Sequence, residues 1–334
     1  MPSDKQIEIG FLIFPGFPMA CLTSMIEPLR AANEVAGKDA FGWKLVSENG
    51  QRIEASAHVW FEPDQALDDC GDLDQLFLLS GPSSQFENPT QSDGKLRKFA
   101  RHGVSVGAIS GGVFPLARAG LLTGYVTSVH WCYEAAFASE FPNLDATEDV
   151  MIMDRGRVTA SGAAAAFELA LQLVDDALGA HVATEVACWF QHPMMRGQGV
   201  VQRKPTFTTQ STNDMLPEPI RQAVEIFSQN IEDPVNIADV AEQIGVSVRQ
   251  LERLFHKTTG TTPLGYYRSL RMHKARQLLH YTKESMSEIA IAVGYATSHT
   301  MIRNYQEVFG IHPREDREKI NMFRVRENAI VPLA

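Results

Sequence analysis

The stretch IADVAEQIGVSVRQLERLF, residues 237–255, reads as helix, tight turn, helix. Ile237, Val240, Ala241 and Ile244 keep the apolar spacing of one helical face. Gly245 interrupts that spacing where a turn needs positive φ. Val246 follows as the residue that plugs the angle between the helices. Ser247 is an N-cap, with Gln250 in capping-box position. The second helix is expected to bury Val248, Leu251, Leu254 and Phe255. Its other face then shows Arg249, Gln250, Arg253 and Lys257, donors suited to base edges and phosphates. An ordinary α-hairpin with a solvated charged face has the same local pattern.

A second copy argues against that plainer reading. MSEIAIAVGYATSHTMIRNYQEVF, residues 286–309, repeats the plan. Ile289, Ala290 and Val293 match the first helix, and Gly294 takes the turn. Ser298 or Thr297 opens a helix with Met301, Ile302, Tyr305 and Phe309 inward. The turn glycines, at 245 and 294, stand 49 residues apart. A linking helix over about 265–279 fills the gap, so two reading helices could enter successive major grooves of B-DNA.

From about residue 216 to 317 the chain resembles the DNA-binding domain of the AraC family of transcription regulators. The motifs that carry the resemblance are IADVAEQIGVSVRQLERLFHKTTGTTPLGYYRSLRMHKARQLL and MSEIAIAVGYATSHTMIRNYQEVFGIHPREDR, whose FGIHPREDR matches the family's closing signature. One departure stands out. The family has Ser-His-Phe and then Arg at the start of the second reading helix, whereas His299, Thr300, Met301 and Ile302 precede Arg303 here. Ser247, Arg249, Gln250, Arg253 and Lys257 are the expected DNA-binding residues of the first motif. Ser298, Thr300, Arg303 and Asn304 are those of the second. The resemblance implies double-stranded DNA and RNA polymerase as partners, and an activator.

With 334 residues, two domains are expected. No apolar run reaches the roughly 18 residues that span a bilayer. The start, MPSDKQIEIGFLIF, does not read as a signal peptide, so a cytoplasmic protein without a membrane partner is expected. Cys21, Cys70, Cys132 and Cys188 show no metal-ligand spacing and read as free buried thiols; no metal or cofactor is expected. The net charge of −10 would disfavour nucleic acid if it were spread evenly. Residues 1–213 hold 15 Lys and Arg against 25 Asp and Glu, whereas residues 214–334 hold 15 of each. Within 245–283 eight basic residues face one acid, Glu252, a basic patch for phosphates.

The amino-terminal part alternates apolar strands with helices. Strands are expected at 7–14, 43–47, 75–79, 104–109 and up to 161. Helices are expected at 20–36, 93–101, 112–119, 163–178 and 179–190. This is an α/β fold, a mainly parallel sheet sandwiched by helices, followed by an all-α domain with two helix-turn-helix motifs. Ligands in such sheets bind beyond the carboxyl ends of the strands. GAISGGVF, residues 107–114, places Ser110 at a strand-to-helix corner before Gly111 and Gly112, a nucleophile-elbow pattern that aims N–H groups at an anion. LSGPSS, residues 79–84, adds Gly81, and VHW, residues 129–131, adds His130 and Trp131.

Here the chain resembles the ThiJ/PfpI superfamily, with its class I glutamine amidotransferase-like fold. That family has Cys at the elbow, a His about twenty residues on, and an acid near the first loop. This chain has Ser110 and His130, and the acid's position falls on Cys21. The two domains together resemble the GlxA-type regulators. IEPLRAAN and GAISGG are most similar to the subgroup that regulates catabolism of carnitine, choline and glycine betaine. Ser110, Gly111, Gly112, His130, Trp131 and Gly81 are therefore expected to hold a small effector without catalysis. For a quaternary amine such as carnitine or glycine betaine, Trp131 is the first aromatic candidate, with Phe14, Phe17 and Trp60 behind it. A Ser110–His130 hydrolase or amidase, oriented by Asp145, Glu148 or Asp149, is one alternative. A purely dimerising domain is another; a homodimer is expected in any case. The expected boundaries are 1–195 for the sensing domain, 196–213 for a linker, 214–320 for the DNA-binding domain and 321–334 for a tail.

Overall fold

The computed structural model describes residues 5–192, 199–202 and 216–318. They fall into two compact units, 5–202 and 216–318. The first begins with β1 (Ile7–Ile13), α1 (Met19–Ala36), β2 (Phe41–Ser47), β3 (Ile53–Glu54), β4 (Trp60–Phe61), β5 (Gln65–Ala66), β6 (Gln75–Ser80) and α2 (Pro89–Arg101). It continues with β7 (Ser105–Ser110), α3 (Val113–Arg118), β8 (Thr127–Ser128), α4 (Glu134–Glu140), β9 (Ala146–Thr147), β10 (Met151–Asp154), β11 (Arg157–Ala160), α5 (Ala163–Leu178) and α6 (Ala180–Trp189).

Seven strands form one sheet in the order β10-β11-β7-β6-β1-β2-β5. All neighbours pair parallel except β10 and β11, a hairpin whose two turn residues, Arg155 and Gly156, both take positive φ. Alternate residues sort the sheet's faces. Ile9, Phe11, Ile13, Phe77, Leu79 and Ile109 pack under α1, α5 and α6. Leu76, Leu78, Val106 and Ala108 are buried as well, with α2 and α3 lying against β6 and β7. Burial on both faces explains the unbroken apolar runs of the central strands.

Residues 199–202, expected in the linker, instead form an edge segment of the first unit. Asp149 and Val201 bridge antiparallel, the Val150 N–H donates to Val200 O (2.7 Å), and the Gln202 N–H donates to Glu148 O (2.8 Å). A composition rich in polar residues does not make a linker when the backbone has an open strand edge to pair with. The remainder of the expected 196–213 linker and the 321–334 tail lie outside the described residues.

The second unit is helical: α7 (Glu218–Gln229), α8 (Ile237–Gln243), α9 (Val248–Thr259), α10 (Pro263–Tyr281), α11 (Met286–Ala292), α12 (Ser298–Phe309) and α13 (Pro313–Glu318). The sequence pattern did not single out α7, yet its Ile220, Ala223 and Phe227 form the floor of the first motif with Leu251, Phe255 and Tyr267. Phe227 stacks on Tyr267 at 4.4 Å between centroids. Asn236, Ser247, Thr262, Ser285 and Thr297 cap the five successive helices from α8 to α12, each accepting a backbone N–H. Thr297, rather than Ser298, caps α12. Among the described residues no helix is long and apolar enough to cross a membrane. Cys21 and Cys70 are buried as expected, but Cys132 is half-buried and Cys188 exposed.

Candidate functional site

Polar groups gather at two places. The first is the outer face of α9. Arg249, Arg253 and Lys257 are exposed there and make no ion pair among the described residues. A shallow depression runs between Arg249, Arg253, His256 and Thr262. Ser247 and Gln250 are exposed but tied to each other. The Gln250 N–H donates to Ser247 Oγ (3.3 Å), and Gln250 Oε1 accepts from the Ser247 N–H (2.9 Å). One end of the Gln250 amide is thus committed to the cap. Val248, expected inside, is 39% exposed. It is the first residue of α9, where no earlier turn lies over it.

The second motif presents its polar residues differently. Arg303 and His299 are exposed, while Ser298 and Thr300 are half-buried. Asn304, expected to face DNA, is 7% exposed and its Nδ2 donates to Thr300 O at 2.9 Å. It is a residue of the motif's interior, because the arc it shares with Met301 and Tyr305 faces the core. The basic patch expected over 245–283 also narrows. Arg268 pairs with Glu307 (3.4 Å) and Arg276 with the buried Asp316 (2.8 Å). Arg271 donates to the carbonyls of Val293 and Gly294 and lies 4.0 Å over the Tyr295 ring. These cations of α10 hold the second motif in place.

The other cluster lies at the carboxyl ends of β6, β7 and β11. Ser80 pairs in register with Ser110, and Ile109 with Ala160, so the three following loops share one sheet edge. Ser110 has φ of +56° and is 5% exposed, the strained corner that the elbow pattern implies. The two glycines after it are demanded by close packing. A Cβ on Gly111 would stand 2.4 Å from Ser80 O, and one on Gly112 2.0 Å from Leu78 O. The Gly112 N–H donates to Ile109 O at 3.1 Å, so it is not the anion donor that the motif led us to expect. Gly81 O accepts from Ser80 Oγ (2.9 Å) and holds the loop as a turn. Sequence reasoning overlooked Arg118, which donates to Ser84 O and Pro82 O while pairing with Glu140. The signal was an arginine ending the apolar run VFPLAR of α3.

His130 and Trp131 reach the same edge. A Cβ on Gly162, which follows β11, would meet His130 Cδ2 at 3.3 Å. The His130 Nδ1 accepts the Cys132 N–H (3.2 Å), and its ring lies 5.6 Å from that of Trp131 and 5.4 Å from that of Tyr133. Burial pushes its pKa down to about 4, so the ring is neutral at pH 7. Among the described residues no hydrogen bond joins His130 to Ser110, and no carboxylate orients it. Cys21, which the resemblance sets at the family's acid position, is buried, and desolvation raises its thiol to about 12. Of the weaker aromatic candidates, Phe14 and Phe17 are core residues, and Trp60 is exposed with the Arg52 guanidinium 4.6 Å over its ring.

Comparison with known proteins finds a family match for each unit. A helix-turn-helix domain family matches residues 240–319, and the DJ-1/PfpI family matches residues 11–176. The chain is 34% identical over 318 residues to the HTH-type transcriptional regulator GbdR of Pseudomonas aeruginosa, covering 95% of this chain and 86% of that one. The chain belongs to the AraC family of transcriptional regulators. This AraC-family regulator is also 33% identical over 310 residues to the regulator CdhR of Pseudomonas aeruginosa, covering 93% and 91% of the two chains. A crystal structure of an AraC family transcriptional regulator from Pseudomonas putida matches with a TM-score of 0.51 at 26% identity. That match covers 55% of this chain and 99% of the other. The regulator therefore joins a DJ-1/PfpI-type sheet domain to a DNA-binding double helix-turn-helix unit.

Proposed function

We propose that this regulator is an activator whose first unit binds a small carboxylate-bearing quaternary amine without transforming it. The observation that carries this reading is an elbow without its catalytic partners. Ser110 sits at the strained corner, yet His130 is not bonded to it, and Cys21 stands where an acid would be. A serine hydroxyl needs a placed base to become a nucleophile. Without one, the corner is a hydrogen-bonding site, with Ser110 Oγ and the Gly111 N–H directed to a carboxylate. The Trp131 ring supplies an aromatic face for the ammonium group. The resemblance to regulators of carnitine, choline and glycine betaine catabolism points to the same ligand class.

On the second unit, Arg249, Arg253 and Lys257 meet the DNA through the first motif, and Arg303 through the second. The regulator acts as a homodimer and engages RNA polymerase at the promoters it activates. Occupancy alters transcription only where the two states of the protein differ in affinity for the ligand.

Calorimetric titration of the full chain with glycine betaine, carnitine and dimethylglycine tests the ligand, in wild type and Ser110→Ala. Saturable heat without product, weakened about tenfold by the substitution, is expected. Turnover that vanishes in Ser110→Ala would make the first unit a hydrolase. Silence from all three compounds would overturn this ligand class and leave the first unit to another ligand or to dimerisation.

A further inference from the structure

The edge segment 199–202 ends on a buried glutamine whose side chain faces the loop of His130. Gln202 is 6% exposed. Its Nε2 donates to Val129 O at 2.8 Å, and its Oε1 accepts the Trp131 N–H at 3.0 Å. One amide thus pairs with the backbone on both sides of His130, as a neighbouring strand would. Nε2 also approaches Asp149 O at 3.4 Å, and the Gln202 backbone N–H binds Glu148 O. Ser128 Oγ closes the same cluster by donating to Asp149 O at 2.6 Å. Gly199 and Val201 are exposed, whereas Val200 packs against the main core and Gln202 against the loop.

Two facts about Gln202 belong together. It fixes the loop that carries His130 and Trp131, and it stands at the end of the first unit, which runs to Gln202. We infer that Gln202 is a positioning residue that couples the His130–Trp131 loop to the hold on the chain leading into the DNA-binding unit. In the clamped arrangement the loop and residues 199–202 keep each other in place. A ligand that moves Val129 O or the Trp131 N–H weakens the amide's grip, and the segment is released. Release in turn frees the loop, since coupling is reciprocal. A buried amide that loses both partners is costly, so the clamp opens as a unit rather than by degrees. The ligand's part in this inference rests on the effector reading above; the clamp itself does not.

The test uses the full chain as wild type, Gln202→Ala and Gln202→Glu. The glutamate keeps the size of the side chain but turns the donor toward Val129 O and Asp149 O into a carboxylate, so both variants should open the clamp. Hydrogen exchange is followed without ligand over 128–133, over 199–202 and over β6 as reference. Both clamped segments should exchange at least tenfold faster in the variants, with β6 unchanged. Affinity for a DNA fragment selected by the wild-type protein should shift at least threefold without ligand. A side chain that merely stabilised the first unit would leave that affinity alone. Exchange that rises in only one segment, or an unchanged DNA affinity, overturns the clamp. Glycine betaine is then added as the probe. If it binds the wild type, its effect on DNA affinity should fall to less than a third in both variants, and a full effect overturns the coupling. If it does not bind, the effector reading fails, while the ligand-free measurements still decide for or against the clamp.

Discussion

Among the described residues the cations of α9 in the first helix-turn-helix motif make no ion pair, whereas the cations of α10 that face the second motif are bound within the protein and leave it Arg303 as its exposed cation on α12. Arg249, Arg253 and Lys257 have no ion-pair partner among the described residues. Around the second motif, Arg276 pairs with Asp316, Arg268 with Glu307, and Arg271 with two turn carbonyls. The turns differ in the same sense. Both glycines take positive φ, +74° at Gly245 and +71° at Gly294. A Cβ on Gly245 would meet nothing within 4 Å, but one on Gly294 would stand 2.7 Å from Ile231 O and 2.8 Å from Glu232 O. The first motif rests on apolar packing over α7 and leaves its charges for a ligand. The second is braced by the charges of α10 and keeps Arg303 exposed. Two copies of one plan can therefore serve different ends: exposed charge gives phosphate affinity, and internally paired charge gives a fixed geometry.

The comparison can be broken first at Asp316. It is 2% exposed and accepts from Tyr305 (2.6 Å) and Arg276 (3.1 Å). Asp316→Ala should cost the second unit about 3–5 kcal/mol in urea unfolding, because it strands a buried charge network. Acid applies the same stress more gently. Burial pushes the Asp316 carboxyl up, but Tyr305, Arg276 and His280 outweigh it and hold the group below its ordinary value. Its contribution is present above the unfolded carboxylate range and is lost as pH falls through the lowered value. Asp316→Asn should flatten that loss, and an equally acid-labile Asn variant would show that the network is not the cause.

Next come the turns. Gly245→Ala should cost about 1–2 kcal/mol from its backbone angle alone. Gly294→Ala should cost roughly 2–5 kcal/mol, since crowding against the 231–232 carbonyls adds to the strain. Equal melting temperatures for the two variants would erase this part of the contrast. At the DNA, Arg249→Ala should cost about 1–3 kcal/mol at the selected site if it reads a base. Asn304→Ala should lower stability and leave the base preferences of the folded protein as they are. A loss of base preference in Asn304→Ala would restore it to the reading face. The smallest effect is on salt dependence. Lys257→Ala should reduce the slope of log affinity against log salt by about 1, and Arg268→Ala should leave it nearly unchanged.

Both helix-turn-helix motifs were legible because their signals are local. Glycine at a positive φ, a capping box and apolar residues at helical spacing act within a few residues. The same holds for the parallel sheet, whose buried strands are apolar on both sides, and for Ser110, whose neighbours spell out a strand-to-helix corner. The misplacements on helical faces have one cause. Periodicity gives the spacing of a helical face but not which arc a neighbouring helix will cover. Val248 was expected inside and is exposed; Asn304 was expected outside and is buried. Helix α7 lacked a motif, and its role follows from the packing of Ile220, Ala223 and Phe227 against Leu251, Phe255 and Tyr267.

Chain order by itself determined the two-unit plan, the reading helices with their caps, and the candidate corner at Ser110. Those follow from short-range sterics and hydrogen bonding, which a few consecutive residues settle. Tertiary structure alone decided that Gly111 and Gly112 serve close packing against β6, that Arg271 braces a turn 22 residues away, and that Gln202 embraces a loop 71 residues before it. Each of these depends on which distant backbone atoms come within hydrogen-bonding or van der Waals reach. That is fixed by the packing of whole elements, and no run of neighbours in the chain encodes it.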